Sequence, residues 1–431
     1  MELYIVPKPF RVTPSQRTEE ELPAPFREAF ASFTAFLDPD RLQAIAEDLG
    51  CTERNRKIHM GMLTIALVLA ALKPGADTQG RWLDTGAIYQ RLTGKKVSQS
   101  ALGDRIRALG PVLHLVLQRR VRHLAAHKPE LHGRLKHFAD VVIPDGCAFK
   151  IAAAHAATFP GTSNPAEFKL HAVYSVSANG LISAATSAGS VHDNEGFKPA
   201  TWQRETLYIW DLGYQDYDRF VDAVLAGAVP LQRLKDKANP VVLAWYDAQG
   251  ERHPLRWEDG RSVRLSDACA LAMVPSEGTL DLEAEIADSA GRKVVARVVC
   301  VPFEGNDRWY LTTLPRAVFT LHDVAELYRL RWEVELFFRT LRGAARLDDI
   351  RRMRHPEAVT VAILSSMVAV TLGQELTVAL NAWEDDPCES LEVPPSPCTQ
   401  PQPPSAATTR AAFPPSGTGD RRRSADPRRS A

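Results

Sequence analysis

Apolar positions along this chain repeat with two periods, and the change from one to the other falls near residue 137. Before it, over residues 25–136, apolar residues recur every three to four positions, the spacing of an amphipathic helix. The segments FREAFASFTAFL, PDRLQAIAEDLG and HMGMLTIALVLAAL predict three helices. Asp38 and Asp40 are candidate N-caps, because a carboxylate there accepts from backbone N–H groups that the helix leaves free. A shorter pair follows: LDTGAIYQRL, the turn TGKKV, and SQSALGDRIRALG, which Ser98 or Ser100 can cap. Helix, short glycine-containing turn and helix is the outline of a helix-turn-helix, and also of any antiparallel helix pair in a bundle. Lys95, Lys96, Arg105 and Arg107 fall near its exposed side. Residues 25–136 are therefore expected to form a helical N-terminal domain and a candidate DNA-binding one. Residues 1–24, polar and proline-containing, predict an extended arm.

After residue 137 the period shortens toward two. FADVVIPDGCAFKIAAA predicts a strand, and EFKLHAVYSVSANGLISAATSAG a hairpin turning at Ala178, Asn179 and Gly180. A helical stretch near 194–204, the strand TLYIWD, the amphipathic LGYQDYDRFVDAVLAG and the strand VPLQRLK complete the order β-β-β-α-β-α-β over residues 137–236. That order is the one of a ribonuclease-H-like sheet, three antiparallel strands followed by parallel ones. Residues 237–315 break the rhythm. VVLAWY, HPLRW, SVRLS, ACALAMV, LDLEAEIAD, KVVARVVCVPF and RWYLTTL read as short strands, so this segment is expected to be an all-β insertion. The α/β core is expected to resume over 316–383, with HDVAELYRLRWEVELFFRTLR and HPEAVTVAILSSMVAVTLGQELTVAL as helices. The apolar runs at 62–72 and 358–372 fall short of the ~18 residues of a membrane span and predict buried helices, so no membrane partner is expected.

Composition sharpens the two ends of the chain. Ten of its 30 prolines lie in residues 384–431, with Ser and Arg clusters and no apolar period, so this tail is expected to be disordered. The abruptness of the change is also that of a shifted reading frame. The length of 431 residues suggests two or three domains. Lys and Arg number 52 against 52 Asp and Glu, so only local clusters, not overall charge, can argue for a nucleic-acid partner. The six cysteines form no CxxC pair, which disfavours a disulfide framework or a zinc site and suits a reducing cytosol. MELYIVPKPF lacks the basic-then-apolar pattern of a secretory leader, and a cytoplasmic, nucleoid-associated chain is expected.

Candidate chemistry concentrates on residues 328–342, YRLRWEVELFFRTLR, read as one amphipathic helix. At about 100° per residue, Tyr328, Arg331, Glu335, Arg339 and Arg342 share one stripe, and Leu330, Val334, Phe337 and Leu341 the opposite one. A lone carboxylate among three guanidiniums is most simply a salt-bridged surface, unless other acids meet it. Two could. Asp145 sits in the first strand of the expected sheet and Asp211 ends the fourth, and those strands are neighbours in a ribonuclease-H-like order. Asp140 competes with Asp145, and Asp193 with Asp211. Asp145 is preferred because it shares a strand face with Val141 and Ile143. Asp145, Asp211 and Glu335, without histidine or thiolate, make a hard oxygen-rich set suited to two Mg²⁺ or Mn²⁺ ions.

Tyr328-x2-Arg331-x3-Glu335-x6-Arg342 resembles the Y-R-E-K signature of DDE transposases of the insertion sequence 4 family, with arginine where the family has lysine. Asp145-Gly146, Phe168-Lys169-Leu170-His171, Asp211-x-Gly213-Tyr214, Gln232-Arg233-Leu234-Lys235 and Trp309-Tyr310-Leu311-Thr312-Thr313 extend the likeness, which covers about residues 25–382. The resemblance implies a metal triad of Asp145, Asp211 and Glu335. It implies DNA contacts by Tyr328, Arg331, Arg339 and Arg342, with Lys169 a further candidate. Trp245 or Trp257, in the insertion, could hold a flipped base as in some relatives, although core packing explains either. Cutting and joining of DNA ends on a homodimer is the function implied. A nuclease without strand transfer and a non-catalytic DNA-binding remnant are the alternatives.

Overall fold

The computed structural model describes residues 24–384, apart from 52–57, 74–77, 200, 236, 272, 275–277, 304–305, 344, 346, 348–349, 351–352 and 354. The arm expected at 1–24 and the tail expected at 384–431 lie, but for Ala24 and Glu384, outside the described residues.

Among the described residues, the first elements are six helices: α1 (Ala24–Phe36), α2 (Pro39–Asp48), α3 (Met60–Ala71), α4 (Thr78–Thr93), α5 (Gln99–Arg107) and α6 (Gly110–Ala126). Asp38 caps α2 by accepting from Arg41 N, and Ser98 caps α5 by accepting from Ala101 N. α3 is buried on nearly every side. A Cβ at Gly61 would fall 1.9 Å from Pro39 O, so only glycine lets α3 cross α2 at backbone contact. The centre of this layer comes from the far end of the chain. α12 (Pro356–Glu384) packs against α1, α3, α5 and α6. Two buried arginines fasten it. Arg81 donates to Ala362 O, Ser366 Oγ and Ala345 O, while Arg120 pairs with Glu375 at 2.8 Å. The apolar stretch is longer than its sequence run suggested: 356–377, 22 residues, is long and apolar enough to cross a membrane, yet 72% of its most apolar window is buried inside the fold. The buried Ser366 and Thr371 return their hydroxyls to carbonyls four residues back, which satisfies polar groups inside an apolar helix.

Among the described residues, one sheet of eleven strands carries the rest. The core strands are β1 (Asp140–Lys150), β2 (Glu167–Ser175), β3 (Gly180–Ala188), β4 (Thr206–Trp210) and β5 (Val229–Arg233), with α7 (Asp193–Gly196) before β4 and α8 (Tyr217–Leu225) after it. Among the described residues, the helix expected at 194–204 is only the four residues of α7. Asn179, at φ 43°, makes the β2–β3 turn. Sheet order begins β3-β2-β1-β4-β5, with β1, β2 and β3 antiparallel and β1, β4 and β5 parallel.

The insertion does not stand apart from this sheet. Its strands are β6 (Val241–Tyr246), β7 (Arg252–Pro254), β8 (Val263–Arg264), β9 (Leu280–Ala287), β10 (Lys293–Phe303) and β11 (Asn306–Thr312), and β11 pairs with β5, so they continue it. Nor is it all β. Residues expected as strand ends and as the strand ACALAMV form α9 (Leu265–Ala270), where Ala268 and Ala270 favour helix and Asp267, poor in strands, sits in the first turn.

Two apolar cores lie on opposite faces of the sheet. Val141 and Ile143 of β1 and Leu207 and Ile209 of β4 face the helical layer. Val142, Tyr208 and Trp210 face α8 and the insertion. α10 (Leu321–Arg329) and α11 (Trp332–Gly343) cover the first face through Val324, Leu327, Val334, Phe337 and Leu341. The single helix expected over 328–342 is thus two. Leu330 and Arg331 break it, with Leu330 N donating to Leu327 O, Arg331 N to Tyr328 O and Glu333 N to Leu330 O. Bonds to the third residue back wind the chain tighter than an α-helix and eclipse side chains three apart, here Tyr328 and Arg331.

Candidate active site

Strand parity sets the two aspartates. Asp145 follows Val141 and Ile143 by steps of two, and Asp211 follows Leu207 and Ile209, so both lie on the face that α10 and α11 cover. Register brings them together. β1 pairs with β4 as Val141 to Leu207 and Val142 to Tyr208, and Asp145 and Asp211 each lie three residues beyond the last paired position. Glu335 arrives on α11, aimed by Val334, Phe337, Phe338 and Leu341, which are buried on its other side.

All three acids meet one guanidinium. Arg331 Nη2 lies 2.5 Å from Glu335 Oε1, Nη1 3.7 Å from Asp145 Oδ2, and Nε 3.9 Å from Asp211 Oδ1. Tyr328 donates its hydroxyl to Asp211 Oδ1 at 3.5 Å. Burial pulls the Arg331 pKa down, but Tyr328, Asp211, Glu335 and Asp145 outweigh it and raise the value above the ordinary one. Burial pushes Asp145 up to about 7; the Gly146 N–H and Arg331 oppose the rise, and the Asp211 and Glu335 charges add to it. Burial, then Asp211, raises the Tyr328 phenol.

The donor set suits a hard divalent cation. Three carboxylates surround a charged centre, and Arg331 Nε there is buried without a hydrogen bond. Their oxygens stand apart around the guanidinium. Among the described residues, the trio with ligand atoms all within 4.8 Å is instead Asp247, Glu251 and His253. That trio belongs to the β6–β7 turn, where Asp247 Oδ1 accepts from Gln249 N and Glu251 N, and turn chemistry accounts for it.

The other expected site residues fall around this centre unequally. Arg342 donates to Cys147 Sγ at 2.9 Å and Ala148 O at 3.1 Å, anchored on β1 just past Asp145. Arg339 is exposed, and among the described residues it joins none of the ion pairs around Arg331. Lys169, in β2, lies 3.2 Å from Asp193 Oδ1 and donates to Val191 O, so it meets that acid and not the three around Arg331. Asp140 is buried at the other end of β1, paired with Lys128 and accepting from Ser175 and Ser177. Trp245 and Trp257 are half-buried against the second core, and Trp245 stacks on His253 at 4.2 Å. Asp193, passed over in favour of Asp211, lies against Gly146 beside Asp145. The glycines after Asp145 and Asp211 were the signal for it, because a glycine in or beside a strand often marks a close approach.

Residues 136–372, more than half of the chain, match the family model for a transposase DDE domain, and that span contains Asp145, Asp211 and Glu335. Over 62 residues the chain is 37% identical to InsL of insertion sequence element IS186A of Escherichia coli strain K12 and to the transposase for insertion sequence element IS421 of Escherichia coli. Those matches cover 14% of this chain and span only 16% of the relatives' length. A cryo-EM structure of the piggyBac transposase synaptic complex with hairpin DNA aligns over 84% of this chain and 83% of that one, at 8% identity and a TM-score of 0.38, too loose a likeness to specify the fold. By the match over residues 136–372, the chain belongs to the DDE transposase family.

Proposed function

We propose that this chain is a DNA transposase of the insertion sequence 4 type, which cuts DNA at element ends and joins the released 3′-hydroxyl to a target. One observation carries it: Asp145, Asp211 and Glu335, from β1, β4 and α11, share the single guanidinium of Arg331. The strand order β3-β2-β1-β4-β5 supports a ribonuclease-H-like core. Tyr328, Arg331 and Glu335 keep the signature spacing, with Arg342 in place of lysine.

Asp145, Asp211 and Glu335 would hold Mg²⁺ or Mn²⁺, and two such ions, when bound, supply an activated water and stabilise the leaving oxygen. The chain's own groups do the rest. Asp145 gives up the proton that burial favours. Arg331 is poised to exchange carboxylates for DNA phosphates, since a guanidinium binds either in the same two-pronged way. Tyr328 and Arg342 flank it as further backbone contacts, and exposed Arg339 extends the basic stripe along α11. Lys169 would join them only on leaving Asp193. The exposed Lys95 and Lys96, between α4 and α5, support DNA binding by the helical layer. Joining two ends calls for a homodimer on double-stranded DNA, in the bacterial cytoplasm at the nucleoid.

Strand joining is the test. Given a pre-cut duplex end of its own element with a free 3′-hydroxyl, the protein is expected to attach it to a plasmid in Mg²⁺. Cleavage without joining would make it a nuclease, and end binding with neither a DNA-binding remnant.

A further inference from the structure

We infer that Asp193, in α7, is a positioning residue of the acidic site, which seats against the backbones carrying Asp145 and Asp211 and adds its charge to theirs; this rests on the function proposed above. Glycines follow both of those acids, and Asp193 faces both glycines. A Cβ at Gly146 would fall 2.2 Å from Asp193 Oδ1, and one at Gly213 4.0 Å from Asp193 Oδ2. A side chain there would push the Asp193 carboxylate off β1, so Gly146 is where this carboxylate meets the strand.

The surroundings hold it there. Arg219 of α8 donates to Asn194 Oδ1 at 2.8 Å, Asn194 O at 2.9 Å, Phe197 O at 3.2 Å and Tyr214 O at 3.1 Å. This ties α7 to the turn that follows Asp211. His171 of β2, paired with Gly146 of β1, packs under Gly196, where a Cβ would fall 1.9 Å from its Nδ1. α7 is thereby clamped between the strand of one acid and the turn of the other. Asp193 Oδ1 is buried without a hydrogen bond, and Lys169 Nζ stands 3.2 Å away, an ion pair off the hydrogen-bond direction.

A carboxylate one backbone away from Asp145 deepens the negative potential that a divalent cation meets, and Lys169 offsets it. Two substitutions therefore act with opposite sign, which a packing role cannot produce. Calorimetric titration of the metal-free full chain with Mn²⁺ alone reads both. Asp193→Asn keeps the shape and removes the charge, and should weaken Mn²⁺ binding roughly tenfold. Lys169→Gln leaves the carboxylate uncompensated and should tighten it several-fold. Melting curves check that each variant is folded. Weaker binding in both variants, or no change in either, overturns the inference. If Asp193→Asn does not fold, Lys169→Gln decides: tighter binding supports the inference, equal or weaker binding overturns it. A wild-type chain that binds no Mn²⁺, or binds it equally after Glu335→Gln, overturns instead the function proposed above.

Discussion

Arg331 lies 2.5 Å from Glu335 across one turn at the head of α11, and the rest of its guanidinium reaches two aspartates from different strands. A surface i,i+4 pair is worth little. This one is different because Arg331 is only 17% exposed and balances three charges.

Removing that balance should be costly. Arg331→Ala leaves three carboxylates facing one another, one of them largely buried, and should destabilise the metal-free chain by about 3 kcal/mol, the low end for a buried pair because Asp211 is partly exposed. Urea denaturation in a chelating buffer measures it, and Mn²⁺ should restore more stability to the variant than it adds to wild type. Equal stability of the two chains without metal would show that the guanidinium is not what holds the acids.

Asp145 predicts a pH dependence of known sign. Its carboxyl titrates at about 7 in the folded chain, against about 3.9 unfolded. The folded state therefore keeps a proton that the unfolded state loses. That contribution to stability is complete below pH ~4 and is lost as pH rises through 7, at up to about 1.4 kcal/mol per pH unit. Denaturation at several pH values without metal should show the decline, and Asp145→Asn should remove this component of it. Mn²⁺ affinity should run the other way, falling as pH drops below 7 because the cation must displace the proton.

Lys95 and Lys96 are exposed in the turn between α4 and α5. If they touch DNA phosphates, Lys95→Ala with Lys96→Ala should reduce the slope of log affinity against log salt by about 2 on random duplex DNA. Fluorescence anisotropy across a salt series reads the slope. An unchanged slope would leave α4 and α5 as an ordinary helical hairpin.

Much of this arrangement was legible in the sequence, for particular reasons. Period-two patterning located β1 to β5, and parity along β1 singled out Asp145 over Asp140. The apolar stripe of Val334, Phe337 and Leu341 foretold which face of α11 is buried. Long-range packing was not legible. That α12 would complete the N-terminal helical layer depends on Arg81 and Arg120 finding partners roughly 250 residues or more away. The break at Leu330 and Arg331 carries no proline or glycine to mark it, and a helical wheel drawn through it misses the tightening that eclipses Tyr328 and Arg331. The insertion's strands were recognisable one by one, but their merger with β5 through β11 was not, because pairing partners leave no local trace. Asp193 was in view only as a rival to Asp211, since a helical projection cannot show that Gly146 and Gly213 make room for it.

The central claim is that Asp145, Asp211 and Glu335 act together on DNA. Its most direct test is Mg²⁺-dependent cleavage of DNA carrying the element's own ends, comparing wild type with Glu335→Gln. The variant should lose at least about a thousandfold in cleavage rate, roughly 4 kcal/mol of transition-state stabilisation. It should bind the same DNA within a fewfold of wild type. Cleavage by Glu335→Gln at a rate near wild type would contradict the claim.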